Sequence, residues 1–353
     1  MKILLAFPGP RHSTFDVAVG WSGVLAKLGH DVSEYRYDFV IDFFVCAYHA
    51  WARKHSGNPA AEFKNESWQS SASKQLVIQA VYDQPDIVLM ISGMQYHPHA
   101  FELLRKLKIP IVLILTESPY LDSRQALVIN RGGVTLAFVN DKVSVEPLSN
   151  LGCPVVYLPH SYDPAIHHNG AGDEDYETGV YFCGTMWPER REIFSSLISD
   201  RRSLQTEFDA YIHGPGTHRG GYEVVSNKEN AEWYRSTKIA LNHHRRTLGD
   251  FRVDEGRLRD DAAWSINPRT YEIAACGAFQ LCDDERPELR EIFGDSVATY
   301  ADNEDLLDKV RYYLSRDAER EQMAARANEL VASCAFANRA REILIPAIQR
   351  LGG

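Results

Sequence analysis

The chain has 353 residues, 44% of them hydrophobic and 24% charged, with a formal net charge of −10. That length exceeds one compact core and fits two domains of about 150 to 180 residues each. The negative balance argues against broad nonspecific binding to nucleic acid, although a local basic cleft would survive it. No run of 18 apolar residues occurs, so nothing reads as a membrane-spanning helix.

Met1 to Phe7 is too short for a secretory signal and reads as a first buried strand. It ends in Pro8-Gly9-Pro10, where Gly9 lets the backbone pass close to a ligand. A helix follows, with Ser13 as a cap and Asp16 as a first-turn acid that favours the helix dipole. The loop is not a G-x-G-x-x-G fingerprint, which leaves a dinucleotide site without support. The aromatic stretch Tyr35, Tyr37, Phe39, Phe43, Phe44, Tyr48 and Trp51 is expected to pack against the first sheet. Apolar runs at 86–92, 109–116, 135–139 and 154–158 alternate with helical patterns, the arithmetic of a parallel sheet covered on both faces. Ser92 and Gly93 end one of these strands. Glu117 ends another, at Ile111 to Thr116, where a carboxylate could orient a ligand's hydroxyls or take a proton.

The polar, Gly-rich break from His167 to Asp175 is the best linker. The expected division is 1–163, a linker at 164–178, a second domain at 179–335 and a C-terminal helical segment at 336–353. Strands recur at 179–184, 207–213, 238–242, 278–282 and 297–300, so two Rossmann-like halves are expected, with ligands at the carboxyl ends of their strands. In the second half Gly184 ends a strand and Arg190 lies in the first turn of the next helix, where the dipole disfavours a cation unless an anion or an acid offsets it. The His213-Gly214 loop could hold a base or ribose, and Asn242, at the end of a third strand, could reach phosphate.

The densest signal is Asn267-Pro268-Arg269-Thr270-Tyr271-Glu272, followed by Cys276-Gly277. Asn267 suits an N-cap, Pro268 the first helical position and Gly277 a left-handed exit. Arg269 and Glu272 then stand one turn apart near the positive helix end. An anion there would meet backbone N–H groups and a guanidinium, and the Glu272 carboxylate could accept from vicinal hydroxyls. Phosphate plus ribose is the ligand this pattern suggests. The pairs His97/His99, His167/His168 and His243/His244 lack carboxylate or cysteine partners at metal-site spacings, and Asp283-Asp284-Glu285 reads as a polar loop, so no metal is expected. The six scattered cysteines read as reduced, buried thiols of a cytoplasmic protein.

Together, Asn267, Arg269, Glu272 and Cys276-Gly277, with Val180 to Thr185, Lys238 to Asn242 and Tyr157 to His160, resemble the GT-B glycosyltransferases, and within them the CgeB-like branch. The resemblance runs from about residue 84 to 345. It implies an α/β GT-B fold of two Rossmann-like domains facing a central cleft, an N-terminal acceptor domain and a C-terminal donor domain. A last helix, with a stripe of Ala340, Ile343, Leu344 and Ile348, would return to the N-terminal domain. It further implies a nucleotide-diphosphate sugar as donor substrate, a UDP-sugar being favoured, and no cofactor. Gly184, Arg190, His213, Gly214, Asn242, Asn267, Arg269 and Glu272 would bind the donor nucleotide. Gly9 and Ser13 would line the cleft, and Glu117 or Asp16 would act as catalytic base. One departure stands out: many retaining relatives carry a second glutamate eight positions before the ribose-binding one, and Trp264 occupies that place here. Stereochemical outcome, acceptor and self-association stay open. A sugar-nucleotide 2-epimerase and a catalytically silent assembly protein are the alternatives of the same fold.

Overall fold

A computed structural model describes residues 1–9, 13–55, 65–117, 122–194, 197, 210–213, 225–248 and 263–351. The chain divides into two compact units, one formed by Met1–Leu158 with Arg339–Gly353 and the other by Pro159–Asn338.

The first unit is built on a six-stranded, all-parallel sheet: β1 (Lys2–Ala6), β2 (Asp31–Tyr35), β3 (Ile87–Ile91), β4 (Ile111–Leu115), β5 (Val134–Val139) and β6 (Val155–Tyr157), in the order β2-β1-β3-β4-β5-β6. β3 and β4 read IVLMI and IVLIL and are buried along their whole length. Apolar side chains on both faces are what a central strand between two helical layers requires. β2, with the sequence DVSEY, lies at the sheet edge and shows mixed exposure, which is why no apolar run announces it.

The second unit carries a five-stranded parallel sheet, β7 (Thr178–Cys183), β8 (Ala210–His213), β9 (Thr237–Asn242), β10 (Gln280–Asp283) and β11 (Ala298–Tyr300), in the order β11-β10-β9-β7-β8. Val180, Phe182, Ile239, Leu241, Leu281 and Tyr300 form a core on one face with Phe194, Leu306 and Val310. Cys282 joins Tyr271, Ala274, Leu289 and Val331 on the other. In each sheet the strand order reverses beside its first strand, between β1 and β3 and between β7 and β9. Such reversal leaves a crevice at the carboxyl ends, because the flanking connections leave in opposite directions.

Two expectations need correction. Tyr35 and Tyr37 are buried, and Tyr37 stacks on Tyr96 with centroids 4.1 Å apart, but Phe39, Phe43 and Trp51 are exposed on the Tyr37–His55 helix. That helix packs mainly against the Asn65–Asp83 helix and not on the sheet, so its aromatic stretch is only partly covered. Cys46 on the same helix is exposed; the other five cysteines are buried, and all six are free thiols. At the C-terminus, Ala340, Leu344 and Ile348 are buried within the first unit, and Ala340–Leu344 is wound as a π-helical turn just before Pro346. Widening the helix there relieves the clash a proline ring makes with the preceding turn.

Candidate functional site

The second unit gathers most of the expected residues at its strand reversal. Asn267 is the N-cap of the Pro268–Ala275 helix: its Oδ1 accepts from the Thr270 N–H at 3.1 Å and from Thr270 Oγ1 at 3.0 Å. Its Nδ2 donates to Oδ1 of Asn242 at 2.8 Å, and Nδ2 of Asn242 donates to Oγ1 of Thr270 at 2.9 Å. Asn242, at the end of β9, is fully buried. Its amide is therefore committed to holding the helix start against the sheet, not to reaching phosphate. Gly277 leaves the helix at φ +70°, and a Cβ there would lie 2.6 Å from Oδ1 of Asn169, so glycine is required on both counts.

Arg190 and Arg269 converge on Gly184. A Cβ at Gly184 would fall 2.7 Å from Nη2 of Arg269 and 3.3 Å from Nη1 of Arg190, so the missing side chain is what admits both guanidinium groups. Arg190 is buried in the first turn of the Pro188–Ile193 helix. The acid next to it in sequence, Glu189, makes no salt bridge to it. Nε and Nη2 of Arg190 donate to the carbonyl of His243 at 3.0 and 2.6 Å, and Nη1 donates to the carbonyl of Thr185 at 2.8 Å. Glu189 instead accepts from the N–H groups of Arg246 and Thr247 and from the Thr247 hydroxyl. Burial, helped by the adjacent Arg269, pushes Arg190 down to about 9, which leaves it charged at neutral pH. Arg269 is half-buried, its Nε has no hydrogen-bond partner, and neither arginine forms a salt bridge among the described residues. Two neighbouring cations without a paired carboxylate make a site that gains from an anion.

Glu272 follows one turn after Arg269 and is half-buried. His167 is buried in its field, and neither ring nitrogen has a hydrogen-bond partner among the described residues. Burial lowers the His167 imidazole below its usual range. His213 ends β8. Gly214 lies outside the described residues.

The strand ends hold a network that spacing concealed. Asp283, expected in a polar loop, is the buried last residue of β10; only Asp284 beyond it is exposed. Its Oδ1 accepts from the His244 N–H at 2.7 Å and lies 2.9 Å from Nδ1 of His244. The expectation that His243-His244 lacks an acidic partner is thus corrected, because the partner arrives from the neighbouring strand. Burial opposes ionisation of Asp283, but the two imidazoles and the His244 N–H outweigh it and hold the carboxyl well below the usual range. Nδ1 of His243 meets the Tyr300 hydroxyl at 2.9 Å, and that hydroxyl donates to the carbonyl of Asn242 at 3.1 Å. This network fixes the His243 carbonyl on which Arg190 rests.

In the first unit, Gly9 follows β1 at φ +131°, and a Cβ there would press on Cγ of Gln95 at 3.2 Å. The loop after β3 that carries Gln95 is set by Arg131, which donates to the carbonyls of Gly93, Met94 and Tyr96, a clamp no sequence motif marks. Ser92 has φ +64° and is buried. Ser13 opens the Ser13–Lys27 helix, Asp16 is exposed in its first turn, and Glu117 is half-buried just beyond β4.

The chain resembles known proteins in sequence and in fold. Residues 190–345 match the family model described as glycosyl transferase-like. The spore protein CgeB of Bacillus subtilis (strain 168) is 24% identical over 250 residues, covering 69% of this chain and 76% of that protein. Sucrose-phosphate synthase from Thermosynechococcus elongatus aligns over 100% of both chains with a TM-score of 0.62 at 8% identity. The HepE protein of Anabaena, solved with UDP and glucose, aligns over 99% of this chain and 100% of its own with a TM-score of 0.60 at 10% identity. The fold is GT-B, residues 190–345 are similar to the glycosyl transferase-like family, and the resemblance to the CgeB-like branch holds. Among the described residues no helix is long and apolar enough to cross a membrane.

Proposed function

We propose that this protein is a glycosyltransferase that takes a nucleotide-diphosphate sugar, a UDP-sugar by preference, in its second unit and passes the sugar to an acceptor shaped by its first. The convergence of Arg190 and Arg269 on Gly184 carries the reading. An anion at the carboxyl end of β7 meets two guanidinium groups, and the opening of the Pro268–Ala275 helix adds a positive dipole end. Glu272, one turn along, accepts from the ribose hydroxyls. Support for the donor class comes from HepE, a structural neighbour solved with UDP and glucose. Glu117 is the proposed base, since it emerges from a buried strand at the carboxyl edge of the first sheet; Asp16, exposed on a first helical turn, is the weaker candidate. No cofactor enters this reading. A putative UDP-N-acetylglucosamine 2-epimerase from Listeria monocytogenes shares the fold, with a TM-score of 0.57 at 12% identity, so isomerisation or hydrolysis of the donor is the second reading.

Titration calorimetry with UDP and with uridine tests the site. Arg269→Ala should weaken UDP binding by roughly 10- to 100-fold, the value of a charge-assisted hydrogen bond, and uridine binding far less. Glu272→Gln should weaken both. Equal losses for the two ligands in Arg269→Ala would refute the diphosphate contact. Donor turnover without any acceptor would favour the epimerase or hydrolase reading.

A further inference from the structure

We propose that the buried cluster of His244, Cys282 and Asp283 is a zinc site that ties the end of β9 to the end of β10. Nδ1 of His244 lies 2.9 Å from Oδ1 of Asp283 and 3.7 Å from Sγ of Cys282, and Sγ lies 3.6 Å from the same Oδ1. With zinc–ligand lengths of about 2.0 to 2.3 Å, a tetrahedral ion spaces its ligand atoms by about 3.3 to 3.6 Å. The sulfur–oxygen distance fits, the sulfur–nitrogen distance of 3.7 Å stands just beyond that range, and the nitrogen–oxygen distance needs a small opening.

The polar atoms around the cluster point the same way. Oδ2 of Asp283 is buried without a partner, as are both amide atoms of Gln280, which stands two residues before Cys282 on the same strand face with its amide beside the thiol. Buried polar groups left unpaired in a native structure call for an ion or a water, because each costs its desolvation. A divalent cation would take Oε1 of Gln280 as its fourth ligand and draw the Asp283 carboxylate towards itself. Nε2 of His244, also buried without a partner, would then carry the imidazole proton. Sulfur and nitrogen donors select zinc over calcium or magnesium. The charge also closes: thiolate and carboxylate together neutralise the ion, and the proton of Cys282 leaves on binding.

The consequence reaches the site above. His244 is joined to His243, whose carbonyl receives two hydrogen bonds from Arg190, so an ion here stiffens the support of that guanidinium without touching a ligand.

Metal analysis of full-length protein purified without chelator, followed by reconstitution with Co²⁺, tests the proposal. The expected result is one equivalent of metal per chain and a thiolate-to-cobalt charge-transfer band, kept in Cys46→Ser and lost in Cys282→Ser. The wild-type protein supplies a readout that does not depend on a variant folding: phenanthroline should lower its melting temperature and Zn²⁺ should restore it. A band that persists in Cys282→Ser would overturn the assignment, as would wild-type protein that binds well below one equivalent and whose melting temperature ignores Zn²⁺.

Discussion

Asn242 and Asn267 exchange side-chain hydrogen bonds, Nδ2 of Asn267 to Oδ1 of Asn242 at 2.8 Å and Nδ2 of Asn242 to Oδ1 of Asn267 at 3.2 Å. One residue ends a strand and the other begins a helix, so this reciprocal pair sets where the helix points. Asn267→Ala removes the cap and leaves the buried Oδ1 of Asn242 without its donor, while Nδ2 keeps Oγ1 of Thr270. The first loss is worth about 0.5 to 2 kcal/mol and the second about 1 to 3 kcal/mol. Urea unfolding should show a destabilisation of roughly 1.5 to 5 kcal/mol. A change below about 0.5 kcal/mol, the range of an ordinary surface substitution, would mean that the pair does not hold the helix.

Gly184→Ala separates binding from folding. The added methyl would meet the end of a flexible arginine, not backbone, so stability should change by less than about 1 kcal/mol while Arg269 is displaced from its place. UDP affinity, measured by calorimetry, should fall at least tenfold. Wild-type UDP affinity in a folded Gly184→Ala protein would place the diphosphate elsewhere.

Glu117→Gln addresses chemistry. As a base acting only in the transition state, Glu117 should account for roughly 10²- to 10⁴-fold in transfer rate with UDP affinity untouched. Transfer at the wild-type rate would remove it from the reaction and make Asp16 the next carboxylate to replace.

His167 predicts a pH dependence. Burial lowers its folded pKa below the unfolded value of about 6.5, so the unfolded chain binds the extra proton first. Its contribution to stability is therefore present above about pH 6.5 and lost as the pH falls towards the depressed folded value. His167→Phe fills a similar volume without a titrating group. Its urea midpoint should fall less steeply than the wild type between about pH 6.5 and 5. Parallel slopes for the two proteins would show that His167 does not titrate on unfolding.

The periodicities were legible in the residues alone. Ile87–Ile91 and Ile111–Leu115 are continuous apolar runs and Thr178–Cys183 is apolar from Val180 onward, as suits parallel strands covered on both faces, and Asn267, Pro268 and Gly277 punctuate a helix by local rules that need no partner. Local chemistry therefore marked Arg269, Glu272 and Gly184. Tertiary structure decided what those residues meet. The edge strand Asp31–Tyr35 has no apolar run because one of its sides is unpaired. Asp283 and His244 stand 39 positions apart in the chain, yet parallel pairing of β9 with β10 sets them 2.9 Å from each other, a distance no spacing rule can encode. Arg190 likewise was visible as a cation at a helix start, but its anchorage on the His243 carbonyl exists only because the first and third strands of the second sheet end side by side.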